Sequence, residues 1–388
     1  MPPIRVLELR SVRGTGGGPE KTIMLGAAQS DPRDVAVTVC YIRDRRDAQF
    51  RLDERARALG VDYVEVLEAH SFDRSIWPAL RQLIRERDIA IVHAHEYKTD
   101  LLALLLAARE PVVPLATVHG WTGHSPRERR VYYPLDRKLL AMYPRLVAVS
   151  GQIRDELVSA GADPARVDVI LNAIEPDRFM RDPARVPAAR ARFGFGPDDV
   201  VIGAVGRLEP QKRFDILIDA VARLRGEFPA LRLMIAGDGS ERASLSARAA
   251  ATLPGACTLL GHVDDVVAVH EAMDLFVQAS DYEGTPNAVL EAMAMESPIV
   301  ATAAGGTAEV ALPGQHGLIV PSGRVDLLAG AIADALRNSD ATTARRIAAR
   351  RRVEHELSFR TRMRRVEDIY RALAAGERPR RTGWLRWS

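Results

Sequence analysis

The stretch Leu275-Phe-Val-Gln-Ala-Ser-Asp-Tyr-Glu-Gly-Thr-Pro-Asn-Ala-Val-Leu-Glu-Ala-Met-Ala294 runs from a short apolar segment, through a turn holding Gly284 and Pro286, into a helical pattern. Its first four residues read as a buried strand, and the pattern predicts a helix opening at about Pro286. A strand followed at once by a helix is one step of a parallel sheet with helical crossovers. The first turn of such a helix has unpaired N–H groups and the positive end of the helix dipole, and Gly284 lets a ligand approach the backbone. That end suits a diphosphate.

The same rhythm extends in both directions. Strands are predicted at 200–205, 231–236, 257–260, 299–301 and 318–320, and in the first half at 4–9, 35–41, 89–93, 112–119 and 146–150, with helical patterns between them. The fold class is therefore α/β, with two Rossmann-like, doubly wound domains facing across a cleft. Between Asn172 and Asp199 the periodicity dissolves among Pro176, Pro183, Pro187, Gly194, Gly196 and Pro197, which reads as an interdomain connection. The expected division is 1–172 for the first domain, 173–199 for the connection, 200–358 for the second domain, 359–375 for a C-terminal helix and 376–388 for a basic tail containing Trp384 and Trp387.

Composition fits this division. The chain has 388 residues, too many for one ordinary core, and 47% of them are hydrophobic, which excludes a disordered polymer. Its 54 basic and 51 acidic side chains leave a net charge of +3, so nothing calls for a nucleic-acid partner. Cys40 and Cys257 lie in no paired pattern, which points to a reducing, cytoplasmic setting. No export signal opens the chain, and the apolar run Leu101 to Ala108 falls well short of the roughly 20 residues that cross a bilayer.

Several residues sit where parallel sheets do their chemistry. Glu283 lies in the turn before the helix and Glu291 about one and a half turns inside it, so the two carboxylates reach different parts of one ligand and accept hydrogen bonds from vicinal hydroxyls. Gly206-Arg-Leu-Glu-Pro-Gln-Lys212 follows the strand at 200–205, placing Arg207 and Lys212 at the edge where charge growing on a departing diphosphate would be met. Gly16, Gly17 and Gly18, after the first strand, resemble a phosphate-binding turn but complete no known fingerprint; a tight structural turn reads equally well. His93, His95 and His119 end neighbouring strands beside Glu96. Without a denser ligand set the reading is no metal site, with His119, next to Gly120, as the better ligand contact.

Taken together, Gly17-Gly-Pro-Glu-Lys, Asp88-Ile-Ala-Ile-Val-His-Ala-His, Val118-His-Gly, Val149-Ser, Ile170-Leu-Asn-Ala-Ile, Gly206-Arg-Leu-Glu-Pro-Gln-Lys, Ala236-Gly-Asp-Gly and Glu283-Gly-Thr-Pro-Asn-Ala-Val-Leu-Glu-Ala-Met resemble glycosyltransferase family 4, retaining enzymes of the GT-B fold. The resemblance covers nearly the whole chain. It implies an acceptor-side first domain, a donor-binding second domain and a C-terminal helix crossing back to the first. Arg207 and Lys212 would hold the donor diphosphate, and Glu291 the ribose. Glu283 and the backbone of Gly284, Thr285, Pro286, Asn287 and Ala288, with Val289 following, would hold the transferred sugar, which His119 would touch. The Gly16 to Gly18 turn would close over donor phosphate and acceptor, and His262 and Val263 would flank the base.

The implied activity is retaining transfer of a hexosyl or N-acetylhexosaminyl group from a nucleotide-diphosphate sugar to a glycan, lipid-linked or small-molecule acceptor in bacterial polysaccharide or glycoconjugate synthesis. No cofactor or metal is expected, and a UDP-sugar is favoured over a GDP-sugar. Ala173 and Thr285 depart from the family pattern and bear on sugar identity. The alternatives are a non-hydrolysing nucleotide-sugar epimerase and a non-catalytic nucleotide-sugar-binding module. Arg127 to Leu140 and the tail mix basic, aromatic and aliphatic residues, which suits peripheral contact with the anionic inner face of the cytoplasmic membrane.

Overall fold

The computed structural model describes residues 2–14, 16–71, 73–121 and 128–376, residue 129 by its backbone alone. The chain divides into two compact units, one built from the segment up to Asn172 and the helix that begins at Phe359, the other from Ala173–Ser358. The sequence motifs fall across both, and each unit has a parallel sheet of its own.

The first unit contains β1 (Ile4–Val12), β2 (Val35–Asp44), β3 (Asp62–Glu68), β4 (Ile91–Ala94), β5 (Val113–Val118), β6 (Arg145–Ala148) and β7 (Val167–Val169), ordered β3-β2-β1-β4-β5-β6-β7. Every pairing is parallel. Two of these strands are absent from the sequence reading. β3 carries Asp62, Glu65 and Glu68 because it is an edge strand, where charge is tolerated and deters further pairing; Glu65 meets Arg43 of the neighbouring strand at 2.6 Å. β7 has only three residues, too few to show periodicity.

The second unit contains β8 (Val200–Val205), β9 (Leu231–Ala236), β10 (Cys257–Gly261), β11 (Leu275–Gln278), β12 (Ile299–Thr302) and β13 (Leu318–Val320), ordered β10-β9-β8-β11-β12-β13 and again all parallel. One face of its core joins Ile202, Leu233, Leu275 and Val300 to Leu217, Val221 and Ile332 of the covering helices. Residues 173–199 cluster with this unit and include the helix Val186–Phe193. Pro187 and Gly194, read as breakers, bracket that helix. Proline is accommodated in a first turn, where its missing N–H costs nothing, and Gly194 ends the helix at φ +80°.

The helix Phe359–Ala374 returns to the first unit. It sets Met363, Val366, Ile369, Tyr370 and Leu373 against Val6, Val35, Ile91, Leu115 and Val147 of that sheet, a spacing that puts one apolar stripe on one sheet face. At about 25 cal/mol per Å² of apolar surface, such a stripe stabilises by several kcal/mol, so the last helix is integral to a sheet whose first strand lies over 350 residues earlier. No described helix is long and apolar enough to cross a membrane.

Candidate functional site

In the second sheet the strand order reverses between β8 and β11, so the loops leaving their carboxyl ends part and open a crevice, the usual ligand position in such sheets. The loop after β8 carries Arg207 and Lys212; the loop after β11 carries Glu283. Lys212 Nζ lies 2.5 Å from Glu283 Oε1, which also accepts from Ser280 Oγ at 2.6 Å and Gln278 Nε2 at 3.3 Å. All three donors reach one oxygen. Among the described residues none reaches Oε2, so one lone-pair-rich face of a buried carboxylate is left for ligand hydroxyls. Arg207 is exposed and, among the described residues, its guanidinium meets no acceptor.

The helix Asn287–Ala294 begins beside Glu283, with Pro286 in extended conformation at its cap and no side chain bonded there. The N–H groups of Asn287 and Ala288 are therefore without a side-chain cap, as an anion site requires, while that of Val289 turns back to Pro286 O at 3.1 Å. Glu291 is buried within this helix. His262 and Val263 follow β10, two strands away from β8; His262 is exposed and meets Asp264 at 3.2 Å, outside the Lys212–Glu283 cluster.

Glycines fix these loops. A Cβ on Gly237 would lie 1.9 Å from the Gly206 carbonyl oxygen, and one on Gly239 would lie 2.5 Å from that of Leu208, so the Ala236-Gly-Asp-Gly segment is what lets the Arg207 loop lie where it does. Gly305, at φ +53°, does the same for Glu283, whose carbonyl oxygen would be 1.7 Å from a Cβ there, while Gly306 N–H donates to Gly284 O at 2.9 Å. The sequence reading missed Ser280, Gln278 and Gly305. The Gly-Gly pair after an apolar strand was an available signal for the last of these.

In the first sheet the order reverses between β1 and β4. Gly16 has φ +71°, and Gly17 caps the helix Gly18–Gln29 by donating its N–H to Glu20 Oε2 at 2.6 Å. Glu20 also accepts from Arg10 at 2.5 Å. Burial pushes the Glu20 carboxyl up, but Arg10 outweighs it and holds the group below its usual range. This helix end thus already holds an acid of its own, unlike the one at Asn287.

His93, His95 and His119 converge as their spacing suggested, joined by two residues the sequence did not flag, Glu8 and Tyr370. A single acid inside an apolar strand gives no periodic signal, and Tyr370 arrives from the last helix. Donor atoms of Glu8, His93 and His95 lie within 4.8 Å of one another, yet each is engaged by protein: His93 with Glu8, Tyr370 and Thr117, and His95 with Glu8 and His119. The result is a closed hydrogen-bond network. Glu96, also considered with these histidines, instead caps the helix Tyr97–Ala107 through Lys98 and Thr99 N–H. Nearby in the same unit, buried Asp100 and Asp136 pair, with Trp121 Nε1 donating to Asp136 at 2.9 Å.

A crevice with a lysine-bound carboxylate, a free guanidinium and an uncapped helix end can bind a hydroxyl-rich anion and stabilise charge on its leaving phosphate. The relationships of the chain agree with that chemistry. The family model described as Glycosyltransferase Family 4 matches residues 16–178, and that described as Glycosyl transferases group 1 matches 186–352. The glycogen synthase of Mycobacterium tuberculosis is 31% identical over 301 residues, covering 74% of this chain and 70% of that protein. A D-inositol 3-phosphate glycosyltransferase of Mycobacteroides abscessus is 34% identical over 227 residues, 55% of this chain and 48% of that protein. In fold, the structure of Anabaena Alr3699/HepE in complex with UDP-glucose aligns with a TM-score of 0.83 at 19% identity, covering 95% of this chain and 100% of that one. The chain belongs to glycosyltransferase family 4, the group 1 glycosyltransferases, whose members have the GT-B fold and transfer a sugar from a nucleotide sugar with retention of anomeric configuration.

Proposed function

We infer that the chain transfers a hexosyl or N-acetylhexosaminyl group, taken first from a UDP-sugar and second from a GDP-sugar, to a glycan, lipid-linked or small-molecule acceptor in polysaccharide or glycoconjugate synthesis. The observation that carries this is the Lys212–Glu283 pair at the β8/β11 reversal, beside the uncapped helix end at Asn287. In this reading Arg207, Lys212 and that helix end hold the diphosphate without a metal ion. Glu291 holds the ribose, and Glu283 with the 284–288 backbone holds the sugar. His119 touches the sugar, His262 and Val263 flank the base, and the Gly16–Gly18 turn covers phosphate and acceptor. The complex of HepE with UDP-glucose supports the choice of UDP.

The test is ligand-induced stabilisation with UDP, GDP and ADP and then their sugars, since binding to the folded state raises its apparent stability. Glu291→Gln should weaken UDP and UDP-glucose alike, whereas Glu283→Gln should chiefly weaken UDP-glucose. Equal losses for both ligands in both variants would refute that division of roles, and nucleotide release that survives EDTA supports metal independence.

The same reading places the protein in the cytoplasm, in peripheral contact with an anionic membrane. The packed helices Tyr97–Ala107 and Tyr133–Leu140 leave Leu101, Leu105 and Leu135 exposed, with Lys138 exposed among them. Arg127 and the Trp384 and Trp387 tail lie outside the described residues. Pelleting with anionic but not neutral vesicles supports the contact, and no pelleting at low salt removes it.

A further inference from the structure

Three side chains in the first unit form a chain of hydrogen bonds whose direction chemistry dictates. Glu8 lies within β1, paired with His93 of β4, and is buried. Burial pushes its carboxyl up, but the adjoining His93 and His95 outweigh it and hold the group well below its usual value, so Glu8 is a carboxylate that only accepts. Its Oε2 is bonded by His95 Nε2, which therefore carries the proton. Burial keeps His95 neutral, down to about 4, and a neutral ring protonated at Nε2 has a bare Nδ1. That Nδ1 lies 3.2 Å from His119 Nε2, which must donate to it. His119 is then left with a lone pair on Nδ1.

The far end of the chain is anchored as firmly. Tyr370 OH donates to Glu8 Oε1 at 2.7 Å, and His93 Nδ1 lies 3.2 Å from that oxygen and 2.7 Å from the Tyr370 hydroxyl. His93 Nε2 lies 2.7 Å from Thr117 Oγ1, which holds the ring at its other end. The charged groups facing His119 from the packed elements are Arg10 of β1 and Arg362 of the last helix, both cationic. With burial and His95 they keep its imidazole well below its ordinary value, neutral at physiological pH.

We propose that Glu8 and His95, braced by Tyr370 and His93, are positioning residues that lock His119 in its Nε2–H tautomer, making Nδ1 an obligate acceptor for one hydroxyl of the bound sugar. This rests on the reading above that His119 touches the sugar. A site that offers only a lone pair selects a hydroxyl that can donate and rejects an epimer or deoxy analogue that lacks it, leaving a buried acceptor unpaired.

The test uses the full chain with its nine histidines labelled with 15N, the His119 signals being identified by their loss in His119→Gln. Wild-type His119 should be protonated at Nε2 and bare at Nδ1 from about pH 5.5 to 8.5. In Glu8→Gln the carboxamide can donate or accept, so both tautomers should appear; Tyr370→Phe, a gentler change, should shift the mixture less. An Nδ1–H or imidazolium His119 in the wild type overturns the proposal, as does an unchanged tautomer in Glu8→Gln.

Nucleotide release from UDP-glucose, ADP-glucose and GDP-mannose separates the lock from the reading beneath it. Glu8→Gln should lower turnover about 10-fold and His119→Ala about 100-fold, with the double variant no worse than His119→Ala alone. Losses that multiply would overturn the lock while leaving His119 as a sugar contact. Full turnover in His119→Ala would instead remove the contact itself. If the wild type turns over none of the three sugars, the tautomers alone decide the lock.

Discussion

In the first unit the sheet reverses between β1 and β4, and the residues gathered at that edge are a carboxylate, three imidazoles and a phenol bonded to one another. In the second the reversal falls between β8 and β11, and the residues there are a lysine bound to a carboxylate with one open oxygen, an arginine without an acceptor among the described residues, and a helix end without a cap. The same topology thus supports two kinds of electrostatics. One edge consumes its own hydrogen-bonding capacity to fix the orientation of a single ring. The other holds charge in reserve, which is what stabilising a leaving phosphate requires. The contrast also separates the helix ends: the one at Gly18 is occupied by Glu20, whereas the one at Asn287 is open.

The largest effect that would break this contrast is at the second edge. Arg207→Ala and Lys212→Ala should each raise the barrier to sugar transfer by about 2–4 kcal/mol, with a smaller loss of UDP affinity, because their charge matters most as the diphosphate departs. They should differ in stability. Arg207 is exposed, and removing it strands nothing, whereas Lys212→Ala leaves buried Glu283 without its cation. Turnover and melting of the two variants, measured side by side, check this. Near-normal turnover in both would mean that the reserve of charge is not used in catalysis.

A second comparison lies within the second unit. Gly305 and Gly314 both have positive φ, +53° and +76°, but a Cβ at Gly305 would strike the Glu283 carbonyl oxygen, and one at Gly314 meets nothing within 4 Å. Gly314→Ala should cost about 1 kcal/mol through backbone strain alone. Gly305→Ala should cost roughly 3 kcal/mol and disturb Glu283, seen by calorimetry as a lower melting temperature and in solution as weaker UDP-glucose binding. Equal losses would show that the loop yields, and that Gly305 is not what holds Glu283 in place.

The two units also differ in how openly they appear in sequence. In the second, the predicted runs 200–205, 231–236, 275–278 and 318–320 coincide with β8, β9, β11 and β13, because inner strands covered on both faces are continuous apolar runs and the short edge strand β13 is itself apolar throughout. In the first, β3 is disguised by Asp62, Glu65 and Glu68, which an edge strand can carry, and β7 is too short to register. The site residues divide similarly. Lys212 and Glu283, far apart in sequence, could be singled out because each follows a readable strand. Glu8, Asp100, Asp136 and Tyr370 could not, since what joins them is sheet register and the return of the last helix, neither of which has a local signature.

The buried acid pair gives the first unit a pH dependence of its own. Burial first, and then the charge of Asp136, push Asp100 well above the usual carboxylate range, and burial takes Asp136 to about 6. Folded pKa values above the unfolded ones mean that the folded state binds more protons. The pair's stability is therefore full below the ordinary carboxylate range and is lost as pH rises through about 6. Asp136→Asn, which keeps an acceptor for Trp121, should exceed the wild type in stability by a margin that widens by about 1–2 kcal/mol between pH 5 and pH 8. Trp77 and Trp121 lie in this unit and no tryptophan lies in residues 173–358, so the fluorescence of these two reports on this unit and not on the other. A variant less stable than the wild type at pH 8 would show that the pair is not under this strain.

The smallest expected effect tests whether local strain at the second edge serves the site. Arg213 caps the helix Phe214–Leu224 with φ +50° and ψ +42°, a left-handed conformation that glycine adopts without penalty. Its guanidinium bonds Asp215 at 3.1 Å and Asp281 at 2.7 Å, tying the loop after β8 to the loop that holds Glu283. Arg213→Gly relieves about 1–2 kcal/mol of backbone strain. Against this stand the extra entropy of a glycine in the unfolded chain, about 0.5–1 kcal/mol, and partly exposed ion pairs contributing up to about 1 kcal/mol. The terms nearly cancel, so the melting temperature should move by no more than about 2 °C. Turnover should fall by less than about 3-fold, because the backbone bond from Asp281 N–H to Gln211 O at 2.9 Å still joins the two loops. A much larger loss of turnover with unchanged melting would assign to the Arg213–Asp281 contact the alignment of Lys212 with Glu283, and the charged edge would then depend on a positioning network as the histidine edge does.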